Sequence, residues 1–310
     1  METKLVQHSP HITHHDTTAG IMLDVIIALI PTTLAGFVLF GPRAVAVVLI
    51  SIAAAVLSEY ISCKVLKKKN SIGDLSSAVT GLLLGLNLPP AIPLWMPAVG
   101  AAVSIVVVKM MFGGLGQNFA NPAIVGRIVL MVSFPTAMTT WTPALSWLSK
   151  TDAVTTATPL AAKEGTYSYL NLLLGLKGGC IGEVCSILLL LGGIYLVCRK
   201  VITPTIPLSF IGSVFVLTAA FGGDPVAAIL SGGVMLGAIF MATDYVTSPS
   251  NFLGKLIFGL LCGFFTVVIR KFGTLPEGVS YSILLMNLLV PHIERLTRKK
   301  PFGWEGANNG

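Results

Sequence analysis

Charge is what this sequence has least of. Only 11% of its 310 residues are Asp, Glu, Lys or Arg, and just 13 are acidic, whereas 54% are hydrophobic. Soluble chains carry about 25% charged residues because their surface faces water. A mean hydropathy of +0.85 therefore excludes a conventional soluble enzyme and a disordered chain. Cysteine is sparse and scattered: Cys63, Cys180, Cys185, Cys198 and Cys262 form no C-x-x-C pair and have no histidine at zinc-like spacing. That excludes a disulfide scaffold and a Cys/His zinc site, and the five read as packing residues in the membrane. No basic groove interleaved with aromatics occurs, so the net charge of +7 does not point to nucleic acid. The N-terminus, METKLVQHSPHITHHDTT, lacks the basic-then-apolar order of a signal peptide. What these absences leave is a polytopic membrane protein with the lipid bilayer as its solvent.

Apolar runs of roughly 17 to 22 residues, enough to cross a ~30 Å hydrocarbon core, fall near 21–40, 44–62, 93–112, 179–198, 205–222, 225–242, 252–270 and 278–293. Two shorter runs, Leu75–Leu88 and Ala123–Phe134, are bounded by prolines and predict tilted, broken or re-entrant helices. The expected fold is all-α, with about ten transmembrane helices. Gly81-Leu82-Leu83-Leu84-Gly85 is echoed 152 residues later by Gly233-Val234-Met235-Leu236-Gly237. Five helices per half would make the halves inverted repeats; chance recurrence of small residues that pack helices is the alternative. A cytoplasmic N-terminus puts 13 basic residues inside and six outside, with Arg127 in the membrane, so both termini are expected in the cytoplasm. The organisation is then a cytoplasmic arm (1–20), a first membrane repeat (21–134), an external loop (135–177), a second repeat (178–296) and a cytoplasmic tail (297–310). A loop as long as 135–177 is usually functional. Its Trp141 and Trp147 serve either as interfacial anchors, the favoured reading, or as stacking platforms for a planar ligand.

That loop holds Asp152-Ala153-Val154-Thr155-Thr156-Ala157-Thr158-Pro159-Leu160. The stretch resembles the D-x-x-[S/T]-G-A-T signature at which a flavin transferase attaches FMN through a phosphoester to the last threonine. The signature belongs to a family comprising the D subunit of the Rnf complex and the B subunit of the sodium-pumping NADH:quinone reductase. Ser9-Pro10-His11, Thr80 to Pro90, Phe119-Ala120-Asn121-Pro122-Ala123, Gly232 to Asp244 and Pro276-Glu277-Gly278-Val279 resemble that family in order along nearly the whole chain. The quinone-reductase member has a longer N-terminal region, so the Rnf member is the nearer resemblance. Thr156 stands where glycine is usual and adds a β-branched side chain beside the modified position.

The resemblance implies covalent FMN on Thr158, with Asp152, Thr155, Thr156 and Ala157 completing the flavinylation motif, and a second, non-covalent flavin such as riboflavin as a further expectation. It also implies a complex in the bacterial inner membrane that passes electrons between reduced ferredoxin and NAD, coupled to Na+ or H+ translocation. Its partners would be the A, B, C, E and G subunits of that complex, above all the flavoprotein G subunit, together with the flavin transferase. Ferredoxin and nicotinamide sites would sit on those partners, consistent with the lack here of cysteine clusters and of a dinucleotide fingerprint. Gly113-Gly114-Leu115-Gly116 reads as a turn. A stand-alone channel or small-solute transporter is the alternative, distinguished by its having no need of 152–160.

Few ionisable residues fall in or near the membrane runs: Asp24, Glu59, Arg127, Glu183, Asp244 and Glu294. A charge at mid-bilayer costs about 2.5–3.5 kcal/mol on insertion scales, so each needs a partner, water or a function. Thr243, Asp244 and Thr247 offer hard oxygen ligands to a small cation; a helix boundary whose carboxylate bonds the loop is the equal alternative. Arg127 pairs with either an acid or a flavin phosphate, and Glu294 with Arg295 or Arg298. His8, His11, His14 and His15 mark a disordered or docking arm in preference to a metal site.

Overall fold

A computed structural model describes residues 17–68, 70–148, 168–183, 185–273 and 277–298. Every regular element among them is helical. Helix α1 (Thr18–Phe40) begins at Thr17, whose side chain accepts from Gly20 N at 3.1 Å. It ends at Gly41, where φ is +74° and a Cβ would lie 2.6 Å from the Trp147 ring, so only glycine fits. Pro42 opens α2 (Pro42–Val65), at the position where a proline's missing N–H goes unneeded. A 3-10 turn (Ile72–Asp74) leads to the short α3 (Ser76–Leu86), which stops at Asn87 ahead of Pro89-Pro90. Helix α4 (Trp95–Val103) continues as a π-helix (Ser104–Met110). Asn121 accepts from Ala123 N and Ile124 N to open α5 (Pro122–Ser133), and α6 (Pro135–Met138) follows.

After the short α7 (Tyr169–Leu174) come α8 (Ser186–Cys198), α9 (Thr205–Ala220), α10 (Pro225–Leu230), and α11 (Val234–Leu236), which runs on as a π-helix (Gly237–Met241). Helices α12 (Phe252–Phe272) and α13 (Val279–Thr297) complete the chain. Among the described residues three helices, α1, α2 and α12, are long and apolar enough to cross a membrane, each with a mean hydropathy of 2.2 over its best window. Their outward leucines and valines, such as Leu34, Val38, Leu49 and Leu57, are exposed, as a lipid-facing surface requires.

Two expected spans take a different form. The run 179–198 is helical only from Ser186; before it, 175–183 crosses the interior without regular structure, and Ile181 N and Gly182 N donate to Leu88 O and Leu86 O. It is a strap that caps α3, and capping is why it need not coil: its amides satisfy carbonyls the short helix leaves open. The run 225–242 breaks at Ser231-Gly232-Gly233, where both glycines have positive φ. Pairs of α-helices approach through small residues: a Cβ at Gly259 or Gly263 of α12 would lie 1.9 Å or 1.7 Å from the Ser209 or Ser213 hydroxyl of α9.

Candidate functional site

Contacts between helix ends fix two faces. Asp24 near the start of α1 binds Arg199 at the end of α8 (3.2 Å), Lys255 binds Thr203, and Ser250 binds Glu294, so these share one face, called the first. Arg43 with the Ala91 carbonyl, Trp147 with Val38 O, and Tyr169 with Asp224 mark the opposite, second face. Between them the short helices α3 and α11, with its π continuation, meet end on. Asn87 Nδ2 contacts Met241 Sδ at 3.2 Å, and Asn121 Nδ2 donates to Met241 O at 3.1 Å. With its amide oriented to suit its neighbours, Asn287 accepts from Asn121 N and donates to Thr247 O. This amide layer lies between the cavity that Asn121 lines and the Arg127 side chain that donates to Asn87.

Toward the first face lies a cavity of about 350 Å³. Apolar residues of α1, α3 and the second π-helix, among them Val25, Leu83 and Phe240, form its walls, and Ser76, Lys109, Asn118, Asn121, Thr243 and Asp244 bring polar groups to it. Among the described residues Asn118 Oδ1 is buried with no partner. Lys109, 1% exposed, lies on the first π-helix. Its Nζ bonds Glu59 Oε1 at 2.7 Å and Ser76 Oγ at 2.6 Å, and Ser71 donates to the same carboxylate oxygen at 2.5 Å. The π turn re-aims side chains relative to a regular helix, which is where such turns recur at functional sites. A buried pair of this kind persists only because hydrogen bonds support both charges.

Toward the second face sits a denser cluster. Arg127, 3% exposed, donates to Asn87 Oδ1 at 2.7 Å, contacts Cys180 Sγ at 3.4 Å, and forms a buried ion pair with Glu277. Lys177 and Glu183, both on the strap, are buried too; Lys177 donates to Leu230 O, and Arg270 donates to the carbonyls of Ala228, Ser231 and Gly232. The two cations thus hold the chain break between α10 and α11, whose carbonyls have no helical partner.

The proposed cation ligands are only partly together. Thr243 and Asp244 line the cavity, while the Thr247 hydroxyl donates to Asp244 Oδ2 at 3.0 Å and the Thr243 hydroxyl donates to Ile239 O at 2.6 Å. Thr158, Asp152, Thr155, Thr156 and Ala157 lie outside the described residues, as do His8, His11, His14 and His15. Arg127 takes the acid partner of its two alternatives. Glu294 accepts from the Ser250 amide and hydroxyl, both at 2.9 Å. Trp141 is buried, and Trp147 packs on Gly41 and donates to Val38 O at 3.1 Å. Gly113, Gly114 and Gly116 form the expected turn, each with positive φ.

Lys109, Lys177 and Arg270 count as loop cations in a positive-inside tally, and Glu277 does not stand out by its position in the chain. Their partners are far off in sequence; Lys109 and Glu59, for example, are 50 residues apart. Only the motif Pro276-Glu277-Gly278-Val279 carries a signal for Glu277.

Comparison with known proteins finds relatives along nearly the whole chain. The chain is 45% identical over 306 residues to the D subunit of the Na(+)-translocating ferredoxin:NAD(+) oxidoreductase complex of Acetobacterium woodii, covering 96% of this chain and 95% of that one. It is also 45% identical over 318 residues to the D subunit of the proton-translocating ferredoxin:NAD(+) oxidoreductase complex of Clostridium ljungdahlii, covering 96% of each. The D subunit of an ion-translocating oxidoreductase complex of Alcanivorax borkumensis is 36% identical, with 97% of each chain covered. The model of the NQR2, RnfD, RnfE family matches residues 5–303, and with nearly its whole length accounted for, the chain belongs to that family.

Proposed function

We propose that the protein is the D subunit of an ion-translocating ferredoxin:NAD+ oxidoreductase, an Rnf complex in the bacterial cell membrane, and that it carries FMN as a phosphoester on Thr158. The observation that carries the reading is 45% identity spread over 96% of this chain in two relatives so named, because a shared domain alone would leave part of each chain unmatched. One of those relatives is named for Na+ and the other for protons, so identity does not choose the ion.

The element order supports ten spans in two inverted repeats, α1 to α5 and α8 to α13, with α10 and α11 as one broken span. The third span is a short helix in the first half and a broken one in the second, and the two meet at Asn87 and Met241. In this reading the first face is cytoplasmic, and the flavin-bearing loop lies beyond the second, where the G subunit covers it.

The cavity toward the first face suits a second, non-covalent flavin such as riboflavin. Its volume of about 350 Å³ is within the range of small-ligand sites, ~300–1,000 Å³, which pair apolar walls with a few polar groups. The unpartnered Asn118 Oδ1 is a buried acceptor waiting for a donor. Asn118, Asn121, Thr243 and Asp244 would hold the polar edge of the ring, while Val25, Leu83 and Phe240 exclude water from its faces. A bound flavin supplies one- and two-electron redox chemistry. The chain's own part is position: Thr158 is a tether, and the amide layer lies between the cavity and the Arg127 side chain. A cation at Asp244 would sit at the cavity's edge beside Thr243.

The test is complementation. Membranes lacking this subunit should lose ferredoxin-dependent NAD+ reduction and regain it with the wild-type chain. Full activity without the subunit would sink the proposal.

A further inference from the structure

The cluster on the second face leaves four buried polar atoms without a partner among the described residues: Glu183 Oε2, Glu277 Oε1, and the Nε atoms of Arg127 and Arg270. They belong to one locus. Arg127 binds Glu277 and contacts Cys180, and ligand atoms of Cys180, Glu183 and Glu277 all lie within 4.8 Å of one another. Glu183 Oε2 would be 3.1 Å from a Cβ on Gly233, and Arg270 donates to the carbonyl of the preceding residue, Gly232. Buried carboxylate oxygens and guanidinium N–H groups are rarely left unsatisfied, because each has given up its hydration.

Orphans of both kinds narrow the ligand. A metal or alkali cation would serve the two carboxylate oxygens, but it has nothing for the two N–H groups and would join three fixed cations, Arg127, Lys177 and Arg270, facing only two carboxylates. An anion would serve the N–H groups and be repelled by Glu183 and Glu277. Water donates and accepts, carries no charge, and needs the two to four polar partners that this locus offers.

We propose that Glu183, Glu277, Arg127 and Arg270 enclose a hydrated chamber, in which ordered water bridges the two carboxylates and takes the guanidinium Nε–H groups as donors. The locus borders the layer of Asn87, Met241 and Asn121, because Arg127 donates to Asn87 Oδ1. Water there gives Glu183 and Glu277 a continuous hydrogen-bonded connection along which a proton can move between them.

Radiolytic hydroxyl-radical footprinting of the assembled, membrane-embedded complex tests this, because radicals made from bound water modify the side chains beside it. Cys180 and Cys262 are both fully buried, and only Cys180 borders the chamber. Exposed Cys198 is the positive control. Modification of Cys180 on the order of tenfold faster than Cys262 is expected from water held at the site, and Glu183→Leu with Glu277→Leu should bring the two rates together. Equal, slow modification of Cys180 and Cys262 in wild type would overturn the chamber. Should the double variant not assemble, cryo-EM density decides: solvent density between the carboxylates that persists when Na+ is replaced by choline supports water. Density lost on that exchange, or none where other buried waters are resolved, overturns it.

Discussion

Replacing Glu277 by leucine strands the Arg127 guanidinium inside the protein. Arg127 would keep Asn87 Oδ1 at 2.7 Å and Cys180 at 3.4 Å but lose the carboxylate that neutralises it. Removing one partner of a buried pair costs about 3–5 kcal/mol because the other charge stays behind, whereas removing both is often close to neutral. Glu277→Leu should therefore lower stability by about 4 kcal/mol, roughly 10 °C in the melting midpoint at this chain size. Arg127→Leu alone should do about the same, leaving Glu277 unpaired. The double variant loses the Asn87 hydrogen bond as well, at about 1 kcal/mol, and should still melt several degrees above either single variant. The assay is a heating series on detergent-solubilised, fluorescently tagged protein followed by size-exclusion chromatography. A double variant whose loss equals the sum of the two single losses would refute the reasoning, since it would mean the two side chains stabilise the fold independently.

Other expectations follow from the same geometry. Lys109→Met strands Glu59, and adding Glu59→Leu should restore most of an expected loss of about 3–5 kcal/mol, read in the same heating assay. Gly263→Val puts a Cβ 1.7 Å from Ser213 Oγ and 2.9 Å from Phe210 O; it should cost about 1–3 kcal/mol, and Ser213→Gly should recover only part, because the backbone oxygen remains in the way. Val79→Trp fills the cavity toward the first face, so acid-extractable flavin should fall to background by chromatography while covalent flavin is unchanged; undiminished extractable flavin would place that cofactor elsewhere.

How far the sequence could be read depended on whether a feature was local. The runs at 21–40, 44–62 and 252–270 became α1, α2 and α12 within a few residues, since an uninterrupted apolar stretch of that length has one way to satisfy its backbone in lipid. The short segments at 75–88 and 123–134 were legible from Pro89-Pro90 and Pro122, which stop or start helices for covalent reasons. The run at 179–198 was not: its hydropathy is that of a span, but 175–183 spends its amides on the carbonyls of Leu86 and Leu88, a long-range use that no periodicity records. The break at Gly232-Gly233 was not read either, because hydropathy smooths 225–242 into one run. Charge was harder still. Asp244 was found because it ends a glycine-rich run, whereas Lys109, Lys177 and Arg270 looked like solvated loop cations until the fold supplied Glu59, Leu230 O and the carbonyls of 228, 231 and 232.

The proposed covalent flavin on Thr158 is tested most directly by in-gel flavin fluorescence of the denatured protein. The chain is produced with its flavin transferase, and wild type is compared with Thr158→Val. The account predicts a fluorescent band that survives denaturation in wild type and is absent from the variant. A wild-type band without fluorescence, with the transferase shown to be active on another substrate, would contradict it and implicate Thr156, the β-branched residue in glycine's place.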